Sequence, residues 1–506
     1  MDRRRLAIGV GGTVVLLASL DAYVIVSVLT DMIKDLELPV NRPERFTPVV
    51  TGFLLGYVAA MPLLGQLSDR FGRRLMLQLC LAAFAVGSVL TAVAGELWPL
   101  VAGRVVQGIA GGALLPITMA LAGDLWEERR RPIVLGAVGA AQELGSVLGP
   151  LYGAGVAALI GWRGIFWINV PLAVLAMAAV QVSVPSSRGL MRAGVDWVGG
   201  LLLAAGLGLL VVGTYNPEPG KGTFSSWGLP SLVAGVVALV AFGLWEARSR
   251  IRLLDLTGAR KGPVFAVLAV SMLSGAALMV TLVDVELVAQ TLLGKSSGES
   301  ALVLARFLIA LALAAAGGGL VAHRFGDRWP LFAGMAVAAV GYFLISTWPL
   351  VLADACYGPL PRMDTDLVIT GLGLGLVIAP VSSAVLRLVP AGQHGVASSS
   401  VVVARMMGML LGISALSAFG FHRYVSLTSK LVPPFPPLAD PVKQKQAVDA
   451  FKLGFQKALH TEYSEIFLIT AVLCALGALL ALTVTDRPAQ QATKRLNDSI
   501  PDMTTR

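Results

Sequence analysis

Charge is what this sequence most lacks. Of its 506 residues only 14% are Asp, Glu, Lys or Arg, while 56% are hydrophobic, and the mean hydropathy is +0.78. A water-soluble chain of this length is not built so, because too few polar side chains remain to face water. Cysteine is nearly absent: Cys80 and Cys474 fall in apolar runs and Cys356 in a connecting segment. No disulfide framework follows from three cysteines, and no CxxC or His/Cys metal spacing exists. Histidine is as scarce. His323, His394, His422 and His460 fall in loops or at the ends of apolar runs, and no HExxH or paired-Asp motif lies within one. A membrane-embedded enzyme needs a nucleophile–base pair or metal ligands there, so the sequence offers that class no support and no cofactor is expected.

What is present is apolar length. Fourteen stretches are long enough to span a bilayer: 6–30, 47–67, 75–95, 98–122, 133–159, 164–184, 196–214, 229–247, 263–288, 301–321, 331–349, 367–386, 398–421 and 464–484. With the N-terminus in the cytoplasm, Arg3-Arg4-Arg5, Arg70, Arg73, Arg74, Arg129-Arg130-Arg131 and the group from Arg248 to Lys261 all fall inside. The net charge of +9 is thus a topology signal, and no nucleic acid is implied. The even span count returns the C-terminal tail to the cytoplasm. The first run is too long for a signal peptide, contains Asp21 and lacks a small-x-small cleavage site, so it is expected to be retained.

A decapeptide organises the chain. Gly65-Gln66-Leu67-Ser68-Asp69-Arg70-Phe71-Gly72-Arg73-Arg74 joins two apolar runs, and a degraded copy, Gly319 to Arg328, follows 254 positions later with His323 in the place of Asp69. One bundle of helices used twice accounts for this. The expected architecture is all-α and integral to the membrane. Residues 1–186 form a six-helix bundle, 187–257 two linker spans and 258–490 a second bundle of six with an outer extension at 422–463; 491–506 form a cytoplasmic tail. Duplicated bundles place a substrate site between them near the midplane. In the decapeptide, Gly72 permits a tight turn. Asp69 is expected at the N-terminus of the following helix, paired with basic residues of a neighbouring span, while Arg70, Arg73 and Arg74 face headgroups or other helix ends. With His323 in the place of that acid, the second copy implies a weaker latch.

A charge within hydrocarbon costs about 2.5–3.5 kcal/mol even on insertion scales, so each needs a reason. Asp21 in span 1 can load and release a proton as a cavity opens to either side, with Arg104 in span 4 as its counter-cation; the bland reading is a purely structural pair. Glu143 in span 5 and Arg405 in span 13 belong to different halves. Their contact would lock one conformation and neutralising Glu143 would release it; alternatively each pairs within its own half. Asp284 and Glu286 in span 9 and Arg306 in span 10 form a second polar group, read as a structural pair. Arg362 and Arg387 near span ends are expected to snorkel. Gly108, Gly111 and Gly112, and Gly145, Gly149 and Gly153, give small faces for close helix approach, and Pro150 adds a kink.

The 422–463 segment exceeds an ordinary connection. Tyr424 to Leu431 can continue the preceding helix, Pro433 to Pro437 stops it, and Asp440-Pro441 starts another. Val448, Phe451, Phe455 and Leu459 then recur at helical spacing among Lys443, Lys445, Lys452 and Lys457. Such a helix either lies on its own protein or handles an apolar substrate or partner outside the bilayer.

These residues carry a resemblance. Over nearly its whole length the chain resembles fourteen-span members of the major facilitator superfamily, in the drug:proton antiporter group. Gly65–Arg74 matches that family's cytoplasmic loop motif, Arg104–Gly112 its span-4 motif and Gly145–Gly153 its antiporter motif. Leu20-Asp21 with the Val/Ile run after it resembles the span-1 motif, and Trp162 to Pro171 and Gln290 to Ser296 are typical. The chain departs at Ala154, at Ser27-Val28-Leu29-Thr30 and at Arg306. Glu143 and the 422–463 extension are closer to mycobacterial inner-membrane exporters associated with triacylglycerides and a periplasmic lipid-carrying lipoprotein. The resemblance implies a bacterial inner-membrane exporter driven by the proton gradient, with Asp21 and Arg104 in proton coupling; Glu143 is read as a further proton-coupling group, and a monomer is expected. Its substrate would be lipid or lipid-like; a multidrug:proton antiporter is the alternative.

Overall fold

The computed structural model describes residues 3–36, 46–126, 131–186, 194–216, 224–249, 252–253, 261–350, 352, 355–389, 394–429, 431 and 441–484. Among these are fourteen α-helices. The first six are α1 (Arg3–Asp35), α2 (Thr47–Phe71), α3 (Arg73–Val93), α4 (Leu97–Leu125), α5 (Arg131–Ile160) and α6 (Trp162–Ser183). Two more follow, α7 (Trp197–Thr214) and α8 (Gly228–Arg248). The last six are α9 (Lys261–Thr291), α10 (Ser297–Phe325), α11 (Arg328–Ser346), α12 (Arg362–Leu388), α13 (His394–Thr428) and α14 (Pro441–Ala481). All fourteen are long and apolar enough to cross a membrane, which agrees with the fourteen runs of the sequence. A two-stranded hairpin, β1 (Cys356–Tyr357) and β2 (Leu360–Pro361), precedes α12. Arg129, Arg130, Arg250, Arg260, the proline run 433–437, Asp440, the boundaries at 187, 257 and 490 and the tail 491–506 lie outside the described residues.

The duplication is visible in the packing. α1 lies against α5, α2 against α4, α4 against α3 and α3 against α6. Eight helices later the same pairs recur: α9 with α13, α10 with α12, α12 with α11 and α11 with α14. The tight turns correspond too. Gly72 between α2 and α3 has φ 97° and Gly326 between α10 and α11 has φ 80°, a region that L side chains avoid. These two turns mark what we term the motif end of the molecule.

The linker pair is tied to the first bundle. α7 and α8 pack on each other, and α7 lies on α2 and touches α13. Gln66 of the decapeptide clamps both ends of the pair: its Nε2 donates to the Arg252 carbonyl at 2.6 Å, and its Oε1 accepts from the Asp196 backbone N–H at 2.9 Å. Asp196 in turn caps α7 through the Gly199 N–H and accepts from Trp245 Nε1 of α8, both at 2.9 Å. Along α8, Val233, Val236, Val237, Val240 and Leu244 are exposed, as a lipid-facing helix requires.

One element differs from the sequence reading. The amphipathic helix outside the membrane and the last span are a single helix, α14, of 41 residues. No proline interrupts it, and Lys, Ala, Leu and Glu between 456 and 465 are good helix formers, so nothing stops the turn. At about 1.5 Å per residue it is about 61 Å long, twice the hydrocarbon thickness of about 30 Å. Its outer half lies on its own chain. Val448, Phe451, Phe455 and Leu459 are half-buried, with Phe455 edge-on to Tyr424 of α13 at 5.6 Å and beside Phe451 at 5.7 Å. Lys443, Lys445, Lys452 and Lys457 are exposed.

Helix approach in the second bundle is set by missing side chains. A Cβ at Gly408 would run into the Met272 backbone of α9. Gly408→Leu is therefore expected to cost at least the ~1–3 kcal/mol of overpacking, read as a fall of several degrees in the melting temperature of the detergent-solubilised protein. Gly243→Ala on α8, where an added methyl meets open space, should leave that temperature unchanged or raise it.

Candidate functional site

A cavity of about 740 Å³ lies between the two bundles, in the half of the molecule nearer the motif end. That is within the ~300–1,000 Å³ of ligand pockets. Its walls come from both bundles: the first half of α5 and Met119 of α4 on one side, and the motif-end halves of α9, α10, α12 and α13 on the other. The lining is mostly aliphatic. Small residues, Gly136, Gly139 and Ala140 of α5 and Ala312, Ala315 and Ala316 of α10, form facing walls. Towards the far end the bundles touch. Thr30 of α1 donates to Gln290 of α9, and Tyr23 Oη donates to Met409 Sδ at 3.5 Å.

Glu143 and Arg405 both line this cavity and form an ion pair across it, from α5 to α13. Their side chains are 20% and 10% exposed, so the pair is partly wetted by the cavity. Glu143 is the only carboxylate in the lining among the described residues.

Asp21 and Arg104 are joined inside the first bundle. Arg104 Nη1 donates to Asp21 Oδ2 at 2.7 Å, and both side chains are fully buried. The other Asp21 oxygen accepts from Asn169 Nδ2 of α6 at 2.6 Å and from Gln107 Nε2 of α4 at 3.3 Å. Gln107 also donates to Ser88 of α3 at 2.9 Å, and the Phe53 ring of α2 lies 4.1 Å from the guanidinium. Five helices thus surround one carboxylate, and none of these residues lines the cavity. Sequence reading missed Gln107 and Asn169. Their signal was polarity within apolar runs: Gln107 one turn after Arg104, and Asn169 inside the Trp162–Pro171 segment.

The antiporter-motif glycines face α1. A methyl at Gly145 would press on Ser19, one at Gly149 would sit 2.9 Å from the Tyr23 Cβ, and one at Gly153 would press on Ser27 and Val24. Pro150 lies inside α5 beside this seam.

The loop motif is arranged differently from expectation. Asp69 sits in the last turn of α2, before Gly72 and not after it, and pairs with Arg73 one turn on. Arg73 carries the link between helices: its Nε reaches Asp124 at the end of α4 at 3.0 Å, and its Nη1 reaches Ser68 Oγ at 2.5 Å. Arg74 bonds Gln181 of α6 at 3.1 Å, and Arg70 lies over Phe71 at 5.5 Å. Gly65 lies beside Pro116 of α4. The second half has its own bridge. Asp327, the repeat position of Arg73, pairs at 3.3 Å with Arg387 at the end of α12. Its polarity is reversed. Arg387 is therefore bound to a buried carboxylate, where snorkelling was expected; Arg362 likewise bonds Thr347 Oγ1 at 2.8 Å.

Arg306 does not join Asp284 and Glu286. It pairs with Asp364 of α12 at 2.8 Å on a half-exposed face, because Asp284 and Glu286 are turned into the bundle and are 8% and 2% exposed. Glu286 accepts from Gln290 at 3.2 Å. Asp284 instead has Glu462 of α14 within electrostatic reach, a buried residue that sequence reading passed over in the approach to the last span.

Residues 12–413 match the Major Facilitator Superfamily. A triacylglyceride transporter of Mycobacterium tuberculosis is 51% identical over 495 residues, covering 96% of this chain and 95% of that protein. One from Mycobacteroides abscessus is 55% identical over 430 residues, 84% of each. Among solved structures, a bacterial homologue of the human lysosomal transporter Spinster, inward-facing and occupied, aligns with a TM-score of 0.64 at 14% identity, covering 96% of this chain and 99% of that one. With its fourteen spans, duplicated bundles and central cavity, the chain belongs to the Major Facilitator Superfamily and is a multi-pass membrane transporter, not an enzyme.

Proposed function

We propose that this transporter is a proton-coupled exporter of lipid or lipid-like molecules, triacylglycerides foremost, working by alternating access in the bacterial inner membrane. The observation that carries the reading is the cavity. It is aliphatic, ligand-sized and crossed by one ion pair that joins the bundles. By the positive-inside rule the motif end is cytoplasmic, so the cavity faces inward here. An apolar substrate enters sideways from the bilayer between the small residues of α5 and α10. A proton taken by Glu143 abolishes its attraction to Arg405 and frees the bundles to rock. Asp21, held by Arg104, Asn169 and Gln107, takes part in the coupling from within the first bundle. The names of the mycobacterial relatives support the substrate class.

Multidrug antiport is the less favoured reading. An amphipathic cation needs a free carboxylate in the cavity; Asp284 and Glu286, the acids that suggested one, do not line it, and Glu143, which does, is already paired with Arg405. The outer halves of α13 and α14, with Phe451, Phe455 and Tyr424 ringed by lysines, offer a periplasmic lipid-carrying lipoprotein a landing surface.

The test is triacylglyceride retention in mycobacterial cells lacking their own transporter, complemented at matched membrane levels. Wild type is expected to clear the lipid, and Asp21→Asn and Glu143→Gln to clear it at least tenfold more slowly. If wild type fails to clear it, the lipid reading loses its support; if both variants clear it normally, neither carboxylate couples protons. A second expectation concerns stability. Arg104→Leu leaves the Asp21 charge buried without its cation, at a cost of about 3–5 kcal/mol, so its melting temperature should fall well below that of Asp21→Leu/Arg104→Leu. Equal melting of the single and double variants would argue that Asp21 is uncharged in the folded protein.

A further inference from the structure

A second cavity lies behind α13. It measures about 300 Å³ and is lined by Thr51 and Leu55 of α2, Val105 of α4, Val212 of α7, and Ala418 and Phe421 of α13, among others. Both bundles and the linker therefore contribute walls. It is separate from the central cavity. Arg405 faces that cavity, and Ser414, which lines this one, is nine residues further along α13. Nine residues at about 100° each put the two on opposite faces of the helix, about 13.5 Å apart along its axis.

Three features define what the cavity takes. Among the described residues no Asp, Glu, Lys or Arg is in its lining, so these walls offer a charged headgroup no counter-ion. Its walls are largely aliphatic and aromatic, and it runs along about 12 Å of α2, from Thr47 to Leu55, a fit for part of one acyl chain. Among its lining residues is an open hydrogen-bond donor. Ser414 is 4% exposed, and its hydroxyl has no partner among the described residues, not even the carbonyl one turn back that helical serines and threonines of this protein commonly use. A buried hydroxyl left unpaired is costly, and an ester carbonyl would satisfy it. The level of Ser414 selects the kind of ester. Gly412, two residues earlier, packs on Ala276 at the midpoint of α9. A phospholipid holds its esters next to the charged headgroup at the membrane face, about 15 Å from that level, whereas an acylglycerol without a headgroup carries them into the hydrocarbon.

We propose that this cavity is a second lipid site, specific for neutral acylglycerols, in which one acyl chain lies along α2 and α7 and an ester carbonyl accepts from Ser414. The proposal rests on the lipid reading above and adds a site to it. Because the walls belong to bodies that move relative to one another in alternating access, occupancy and conformation are linked, and each biases the other by the same factor.

The experiment uses the full-length protein in nanodiscs with a triacylglycerol bearing a photoreactive diazirine on one chain, and maps labelled peptides by mass spectrometry. Labels are expected in the central cavity and also at 47–55 and 414–421. Ala418→Phe, which fills the second cavity, should lower the far label at least tenfold and spare the central one. Ser414→Ala should lower it about fivefold, as loss of one hydrogen bond implies. If Ala418→Phe does not fold, Ser414→Ala carries the test. A central label alone overturns this site and leaves the lipid reading standing, while no label at either site removes both. A diazirine phospholipid that labels 414–421 equally well and is not displaced by triacylglycerol shows an annular lipid only, and overturns the proposal.

Discussion

A charge in hydrocarbon needs a partner, and for Asp21 and Glu143 that partner sits on a different helix. That constraint ties together spans far apart in the chain. Asp21 on α1 reaches Arg104 on α4, and Asn169 and Gln107 complete its shell. Glu143 on α5 reaches Arg405 on α13. The first arrangement is fully buried within one bundle, and the second spans two bundles and borders the cavity. The same chemistry thus makes one contact integral to a domain and the other a contact that the proposed rocking of the bundles would have to break.

The repeat shows how such pairs survive divergence. Helices eight apart pack alike, yet the bridges beside the two tight turns have exchanged signs: Arg73 with Asp124 in the first half, Asp327 with Arg387 in the second. A bridge needs one charge of each sign at a given distance, and either order satisfies it. Comparing His323 with Asp69 alone misses this, because the acid of the second copy stands four residues later.

Span number, duplication and the buried charges were legible in the sequence because each is a local or periodic signal. Pairings were less so. Whether Arg306 meets Asp284 or Asp364 depends on which face of α10 turns outward, and apolar residues all round a membrane helix conceal that face. The shell of Asp21 was half hidden for a similar reason, since Gln107 and Asn169 are uncharged and come from helices far apart in sequence. The union of the outer amphipathic helix with the last span, set apart above as 422–463 and 464–484, is hidden in the sequence by a change of composition. Composition changes there, but backbone propensity does not, and α14 runs straight through. Ser414 was invisible altogether: a serine in a membrane helix is ordinary until its bonding is known.

An unbroken α14 also makes the second bundle a lever. The twenty residues before Thr461 add about 30 Å beyond the part that packs among the spans. A rigid helix turns any tilt of its root into a sweep of its tip, so rocking the bundle by about 10° carries the outer end about 5 Å sideways, given that length. A flexible loop would absorb such a motion. Here Tyr424 and Phe455 pack the outer ends of α13 and α14 together, so if the bundles rock as proposed the two would swing as one arm and carry the motion outside the membrane.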